Sequence, residues 1–155
     1  MTDVTRTLTV AAGLSLLAAC ITAPPVLADA QFAVTANGPS SLQAGVSGTY
    51  TVTAHNGGDV AAPVQLFIVF AGKLQQTGQI VAGGGFDCTT ADNVVRCTVP
   101  ELARYTAVDI VVQGRGSEPG AGQLVANINP DRSVPEDATL GGGNDNTVTK
   151  TVSIT

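Results

Sequence analysis

The stretch "GTYTVTAHN", residues 48–56, alternates apolar and polar side chains from one residue to the next. Tyr50, Val52 and Ala54 fall on one side of the alternation, and three threonines fall on the other. Because successive side chains of a β-strand point to opposite faces, this pattern predicts a strand with one buried and one solvated face. The "NGG" that closes it, at 56–58, is a strong turn signal.

The rest of the chain repeats this arrangement of short β-type runs separated by Gly, Pro and Asn. The run "PVQLFIVF" is almost entirely apolar, which predicts a strand covered on both faces. After Gln31 no segment shows a sustained helical period. We therefore predict an all-β protein, an antiparallel β-sandwich of about seven strands, built from the runs at 31–37, 48–56, 63–70, 78–88, 106–114, 122–128 and 146–154.

Two cysteines lie within "CTTADNVVRC", residues 88–97, where turn-forming residues precede a β-branched run. This pattern predicts a β-hairpin with Cys88 and Cys97 on its two arms. In an exported domain the pair is most simply a disulfide. A Cys/His zinc site lacks ligands, since His55 is the only histidine of the chain, and the C-x-x-C pattern of redox couples is absent.

The order of these features resembles the bacterial Ig-like surface repeat family known as domain of unknown function eleven. The matching stretches are 45–57, the cysteine hairpin, 102–112 and 144–154, and the resemblance covers about residues 31–155. It departs from the family pattern in "ELARYTAVDIVV", which lacks the usual Pro-Gly in its turn. The resemblance implies an Ig-like sandwich that serves as an exported envelope or surface module, and it carries over no catalytic residues.

The N-terminus predicts export. "LTVAAGLSLLAACI", residues 8–21, is an apolar run too short to span a bilayer, and it follows a weakly basic start. The small-x-small pattern at 28–30 predicts cleavage after Ala30, so that Gln31 becomes the first residue. Residues 1–30 are then a signal peptide and 31–155 an Ig-like β-sandwich domain.

A second route of export competes with cleavage at Ala30. "LAAC", ending at Cys20, resembles a bacterial lipobox, in which Cys20 would be acylated and become the first residue. The stretch that follows it is apolar and contains proline, unlike the polar, flexible tether of most lipoproteins. The sequence favours soluble secretion over a lipid anchor and leaves both routes open.

Charge restricts the classes of partner. Residues 31–155 carry six Lys and Arg against ten Asp and Glu, a net charge of −4, with no basic run. Nucleic acid and anionic membrane surfaces both require clustered cations, so neither is expected to bind the mature domain. Membrane contact is expected only if Cys20 is lipidated.

The sequence predicts neither a catalytic residue nor a cofactor. His55 follows the Thr/Val alternation just before Asn56, which predicts a solvated histidine at a strand end. No G-x-S-x-G elbow supports a Ser-His-Asp triad, although one histidine leaves that arrangement formally open. The glycine run at 83–85 has no following lysine or helix, so we interpret it as a loop and not as a phosphate site.

The longest segment without strand character is "NPDRSVPEDATLGGGNDN", residues 129–146. It concentrates carboxylate and amide oxygens, which are ligands of Ca²⁺, but their spacing does not match an EF-hand. We therefore interpret it as a solvated connection and predict no tight metal site.

Together these patterns predict an exported bacterial module with a non-catalytic structural, adhesive or binding role, secreted or at the cell surface. Its expected partner is an envelope protein or a glycan. The alternatives are an accessory lipoprotein anchored through Cys20 and, more remotely, a small secreted hydrolase.

Overall fold

The computed structural model of the chain describes residues 30–130 and 146–155. The predicted signal peptide and most of the segment at 129–146 lie outside these ranges. Every regular element within them is a β-strand. In chain order the strands are β1 (Phe32–Asn37), β2 (Ser41–Leu42), β3 (Ser47–Asn56), β4 (Ala62–Gly72), β5 (Leu74–Gln76), β6 (Val81–Ala82), β7 (Asp87–Ala91), β8 (Val94–Leu102), β9 (Thr106–Gly116), β10 (Gly120–Pro130) and β11 (Thr147–Ile154).

The strands form two sheets. The first has the order β1-β3-β9-β5, and β6 also pairs with β9; the second has the order β2-β11-β10-β4-β8-β7. All pairings are antiparallel except the short parallel contact between β2 and β11. Seven strands have six residues or more, so the prediction of an all-β, mainly antiparallel sandwich of about seven strands is confirmed.

Alternate residues of the long strands form the core between the sheets. Tyr50, Val52 and Ala54 of β3 are fully buried, as the alternation in "GTYTVTAHN" predicts. The threonines between them lie on the outer face, where they are half-buried or exposed. The inward side chains that complete the centre of the core are Leu66, Ile68, Phe70, Ile110, Val112, Leu124, Ala126 and Ile128.

Strand β4 differs from its prediction in one respect. Its inner face is buried, but its outer residues, among them Gln65, Phe67 and Val69, are only half-buried. The prediction that both faces are covered was therefore wrong. The apolar outer residues are shielded from the side, because β4 is flanked by β10 and β8 in the middle of the second sheet.

Two aromatic rings contact each other edge to face in the core. The ring centroids of Tyr50 and Phe70 are 6.4 Å apart, with an interplanar angle of 77°. A Cβ at Gly114 would lie 2.7 Å from the Phe70 ring, so this ring packs directly against the backbone of β9. The buried Tyr50 hydroxyl has no hydrogen-bond partner among the described residues, and burial raises the pKa of Tyr50.

Asn56, at the end of β3, is the only buried polar residue in the core of the described ranges. Its Nδ2 donates to the carbonyl oxygens of Val60, at 2.8 Å, and Leu102, at 3.1 Å. Its Oδ1 accepts from the backbone N–H groups of Gly58, at 3.0 Å, and Gln31, at 3.3 Å. One amide side chain therefore connects the β3–β4 turn, the residue before β1 and the end of β8.

Candidate functional site

His55 lies on the outer face of the first sheet, one residue before the end of β3, and its side chain is exposed. Its cross-strand neighbours are Ala33 on β1 and Ala107 on β9. The polar contact nearest to it in register joins Thr53 Oγ1 to Asp109 Oδ1 at 2.7 Å. The predicted strand-end position is thus confirmed, and the imidazole is flanked by methyl groups instead of by an orienting carboxylate.

The cysteine hairpin forms as predicted. Cys88 on β7 and Cys97 on β8 are directly opposite in register, with Cα atoms 4.0 Å apart and sulfur atoms at disulfide distance, 2.04 Å. Cys97 is fully buried, whereas Cys88 is half-buried. Strand β7 is the edge of the second sheet and pairs only with β8. The cysteine pair therefore joins an exposed edge strand to a strand of the core.

The glycine run at 83–85 forms a turn between β6 and β7. Phe86 N donates to Gly83 O at 3.2 Å, and Gly84 and Gly85 have φ angles of 60° and 78°. These left-handed angles explain why glycine occurs here. The next element is β7, a strand, so the turn has no helix N-terminus with which to bind phosphate.

The outer face of the second sheet carries two shallow depressions that share Thr98. One, of about 250 Å³, lies between β4 and β8 and includes Pro63 and Pro100; the other, of about 200 Å³, includes Asp87 and Arg96. Both are open to solvent. They offer a surface against which a partner could lie, not an enclosed cleft for a small molecule.

Arg96 is held in place on this face. Its guanidinium carbon lies 5.9 Å from the centroid of the Phe67 ring, and its Nη2 donates to Gln65 Oε1 at 3.4 Å. The guanidinium group therefore lies over the ring of Phe67, which is half-buried. The aromatic ring of Phe67 on this face is thus already in contact with a side chain of the domain itself.

The β8–β9 turn presents the most exposed aromatic side chain of the described residues. Tyr105 is 67% exposed and has a φ of 53°, in the left-handed region. It follows Arg104, which is also exposed, and the turn is closed by a hydrogen bond from Thr106 Oγ1 to Ala103 O at 2.6 Å. The turn therefore projects a cation and an aromatic ring from one end of the sandwich.

Only one other non-glycine residue in the described ranges has a positive φ, and this is Asp92, at 52°, in the β7–β8 turn. Aspartate tolerates the left-handed region because its short polar side chain can bond locally, whereas a bulky aromatic residue is an outlier there. Strand β8 separates the two turns, so Asp92 and Tyr105 lie at opposite ends of the sandwich.

Sequence reasoning did not identify the Arg104–Tyr105 turn as a candidate surface. The available signal was the departure of "ELARYTAVDIVV" from the Pro-Gly of the family it resembles. A glycine at the second of these positions could adopt a positive φ without strain, whereas this chain has tyrosine there with a φ of 53°.

The described residues, 30–130 and 146–155, contain no group of three or more His, Cys, Asp or Glu side chains that could hold a metal ion. The oxygen-rich segment at 129–146, interpreted above as a solvated connection, lies almost wholly outside them, so the prediction of no tight metal site there stays a prediction. The same ranges contain no helix that is long and apolar enough to cross a membrane.

No family model and no curated protein match this chain. Solved structures do match it. The CARDB domain of the PF1109 protein from Pyrococcus furiosus, a crystal structure in complex with di-metal ions, aligns with a TM-score of 0.60 at 16% identity, over 83% of this chain and 96% of that one. The cohesin module of a family 33 glycoside hydrolase from Clostridium perfringens aligns with a TM-score of 0.55 at 16% identity, over 81% and 97%.

At these identities the likeness establishes the fold alone. Both neighbours are Ig-like β-sandwich domains, which confirms the predicted fold class. Membership in the domain of unknown function eleven family stays a prediction. The described part of the chain is similar in architecture to the Ig-like β-sandwich modules of larger proteins.

Proposed function

We propose that this protein is a non-catalytic binding or structural module of the bacterial envelope or cell surface. The proposal rests on the surface features of the domain. The second sheet has shallow, open depressions, and the β8–β9 turn exposes a cation and an aromatic ring. Such a surface suits contact with a macromolecule. The fold neighbours support the proposal, since both are domains or modules of larger proteins.

Export through residues 1–30 is part of this proposal. Its support is the short apolar run and the cleavage pattern before Gln31. Mass spectrometry of the mature protein from its native host tests it: an N-terminus at Gln31 supports secretion, and a diacylated Cys20 supports the lipoprotein alternative. An uncleaved N-terminus in protein recovered from cytoplasm contradicts both.

We also propose that Cys88 and Cys97 are bonded in the exported protein. Their support is the direct cross-strand pairing on β7 and β8. Intact mass before and after alkylation, without reductant, measures the number of free thiols. Two free thiols in folded protein from the envelope or medium would exclude the bond.

The binding role is tested by measuring interaction of the mature domain with purified envelope proteins and with a glycan array. Saturable binding that survives high salt supports the proposal, because the domain has no basic run to produce nonspecific attraction. A panel of esterase, protease and glycosidase substrates tests the remote hydrolase alternative. Turnover that is lost in His55→Ala would replace the binding role with a catalytic one.

The proposed family membership predicts the same architecture and the same export, but it does not name a partner. The sequence leads us to expect an envelope protein or a glycan as the partner. The choice between these two classes therefore depends on the surface of the domain, because the family resemblance does not decide it.

A further inference from the structure

The Arg104–Tyr105 turn between β8 and β9 contains an unfavourable backbone conformation. Tyr105 has a left-handed φ of 53°, which glycine would adopt more easily than tyrosine. A left-handed φ places the Cβ of a non-glycine residue against the backbone, and this destabilises the folded state relative to glycine by roughly fivefold in the folding equilibrium. Tyr105 gains little in return from the core, because 67% of its surface stays exposed. Residues held in such conformations cluster at functional positions.

We propose that Arg104 and Tyr105 are the contact point through which this domain inserts into a pocket of a partner protein. The inference rests on the proposed binding function and assigns it a surface. Tyrosine and arginine are the residues most enriched among those that dominate the energy of protein interfaces. A rigid tyrosine ring gives a large contact area with few rotatable bonds, so little entropy is lost when it is buried.

The shape of the turn favours a protein over a glycan. The turn projects beyond the ends of β8 and β9, and its two exposed side chains can enter a concave surface but cannot enclose a sugar. Sugar and small-molecule sites are concave and surround most of the ligand. The concave surface must then belong to the partner.

The charges around the turn disfavour a membrane. Glu101 at the end of β8 is exposed, and Asp59 lies in the β3–β4 connection at the same end of the sandwich. Anionic lipid surfaces attract clusters of cations, whereas Arg104 is a single cation in a domain whose sequence has no basic run. A partner pocket with an aromatic floor and one carboxylate complements this turn.

The test begins with the full chain in its native host, carrying a photoreactive benzoylphenylalanine at position 105. Val81 is the control position, because it is 63% exposed and lies on a strand of the first sheet away from this turn. We expect one protein to crosslink at position 105 and not at position 81. That protein is then purified, and its affinity is measured by calorimetry with wild type and with variants.

We expect Tyr105→Gly to weaken binding by about 30-fold or more and Arg104→Ala by about 10-fold. Tyr105→Phe keeps the ring and should stay within about threefold of wild type. Asp92→Gly, which changes the matching left-handed position at the opposite end, should leave binding unchanged. The Tyr105→Gly variant should also melt about 3 °C higher than wild type, since it relieves the backbone.

Several results would overturn the inference. Wild-type affinity in Tyr105→Gly, or crosslinking only at position 81, excludes this turn but leaves the binding function standing. Absence of crosslinks at both positions, together with no saturable binding to envelope proteins or glycans, removes the proposed function as well. Binding to a glycan array or to anionic phospholipid vesicles that is lost in Tyr105→Gly would assign the turn to a sugar or a membrane instead. A melting temperature that falls in Tyr105→Gly would refute the strain on which the inference is built.

Discussion

Replacing Asn56 by alanine should test how one polar side chain holds three separated segments together. The substitution removes both Nδ2 donors and the Oδ1 acceptor while leaving β3 in place. The carbonyl of Leu102 and the N–H of Gly58 then lose their partners in a buried environment. The other two partners, Val60 O and Gln31 N, are closer to solvent and can bond to water.

The expected loss follows from these four hydrogen bonds. A protein hydrogen bond contributes about 0.5–1.5 kcal/mol net, and a buried group left without a partner costs about 1–3 kcal/mol. Two of the four bonds are recoverable by water, so we expect Asn56→Ala to lower the free energy of unfolding by about 2–4 kcal/mol. For a domain of this size the melting temperature should fall by about 8–15 °C.

Urea denaturation followed by circular dichroism measures this loss, and hydrogen exchange of the Gly58 amide tests its local cause. Asn37→Ala is the matched control, because the Asn37 side chain is exposed at the end of β1. We expect the control to lie within about 0.5 kcal/mol of wild type. A loss below about 1 kcal/mol in Asn56→Ala, with unchanged exchange at the Gly58 amide, would refute this reasoning.

Three further variants test the core and the hairpin. Tyr50→Phe removes a buried hydroxyl without a described partner, so stability at pH 7 should stay equal or rise by up to about 1 kcal/mol. Burial raises the pKa of Tyr50 above its unfolded value, so the unfolded chain loses the phenol proton first as the pH rises. The free energy of unfolding of wild type should therefore be unaffected by this group below about pH 10 and should fall above it. The urea midpoint of Tyr50→Phe should show no such fall from this site. Gly114→Ala should lower stability by about 1–3 kcal/mol through overpacking, and a melting temperature equal to that of Gly83→Ala, where a Cβ meets only ordinary contacts, would contradict this. Replacing both Cys88 and Cys97 by alanine should cost about 2–3 kcal/mol in the chain-entropy model, and a urea midpoint as high as that of the oxidised wild type would show that the bond adds nothing.

The long strands were predictable because their pattern is local. In β3 the alternation of Tyr50, Val52 and Ala54 with threonines specifies which face is buried, whatever lies opposite. The same local logic placed the cysteine hairpin, where the turn residues and the β-branched run stand side by side in sequence. The burial of strand β4 was harder to predict. A continuous apolar run indicates that a strand is central in its sheet, but it does not indicate whether a second layer covers its outer face.

The short strands and the polar clamp, by which we mean the buried Asn56 side chain and its four hydrogen bonds, could not be predicted in this way. Strands β2 and β6 have two residues each and exist only because β11 and β9 lie beside them. The sequence places Asn56 in a turn signal; in the structure it is the last residue of β3, and the residues at 57–61 form an irregular connection to β4 in the other sheet. Its side chain acquires its role from Gln31 and Leu102, which are 25 and 46 residues away in the chain.

The clamp and the strained turn belong to one end of the molecule, and this connection explains how the strain persists. Asn56 is paired in register with Thr106, the first residue of β9, and its Nδ2 binds the carbonyl of Leu102, the last residue of β8. Both ends of the Arg104–Tyr105 turn are therefore fixed by the same residue, at Thr106 through its backbone pairing and at Leu102 through its side chain. A strained conformation survives only where the surrounding structure leaves no alternative. Because the base of the turn is rigid, the tyrosine is held in its exposed position before any partner arrives, and the entropy lost on binding is correspondingly small.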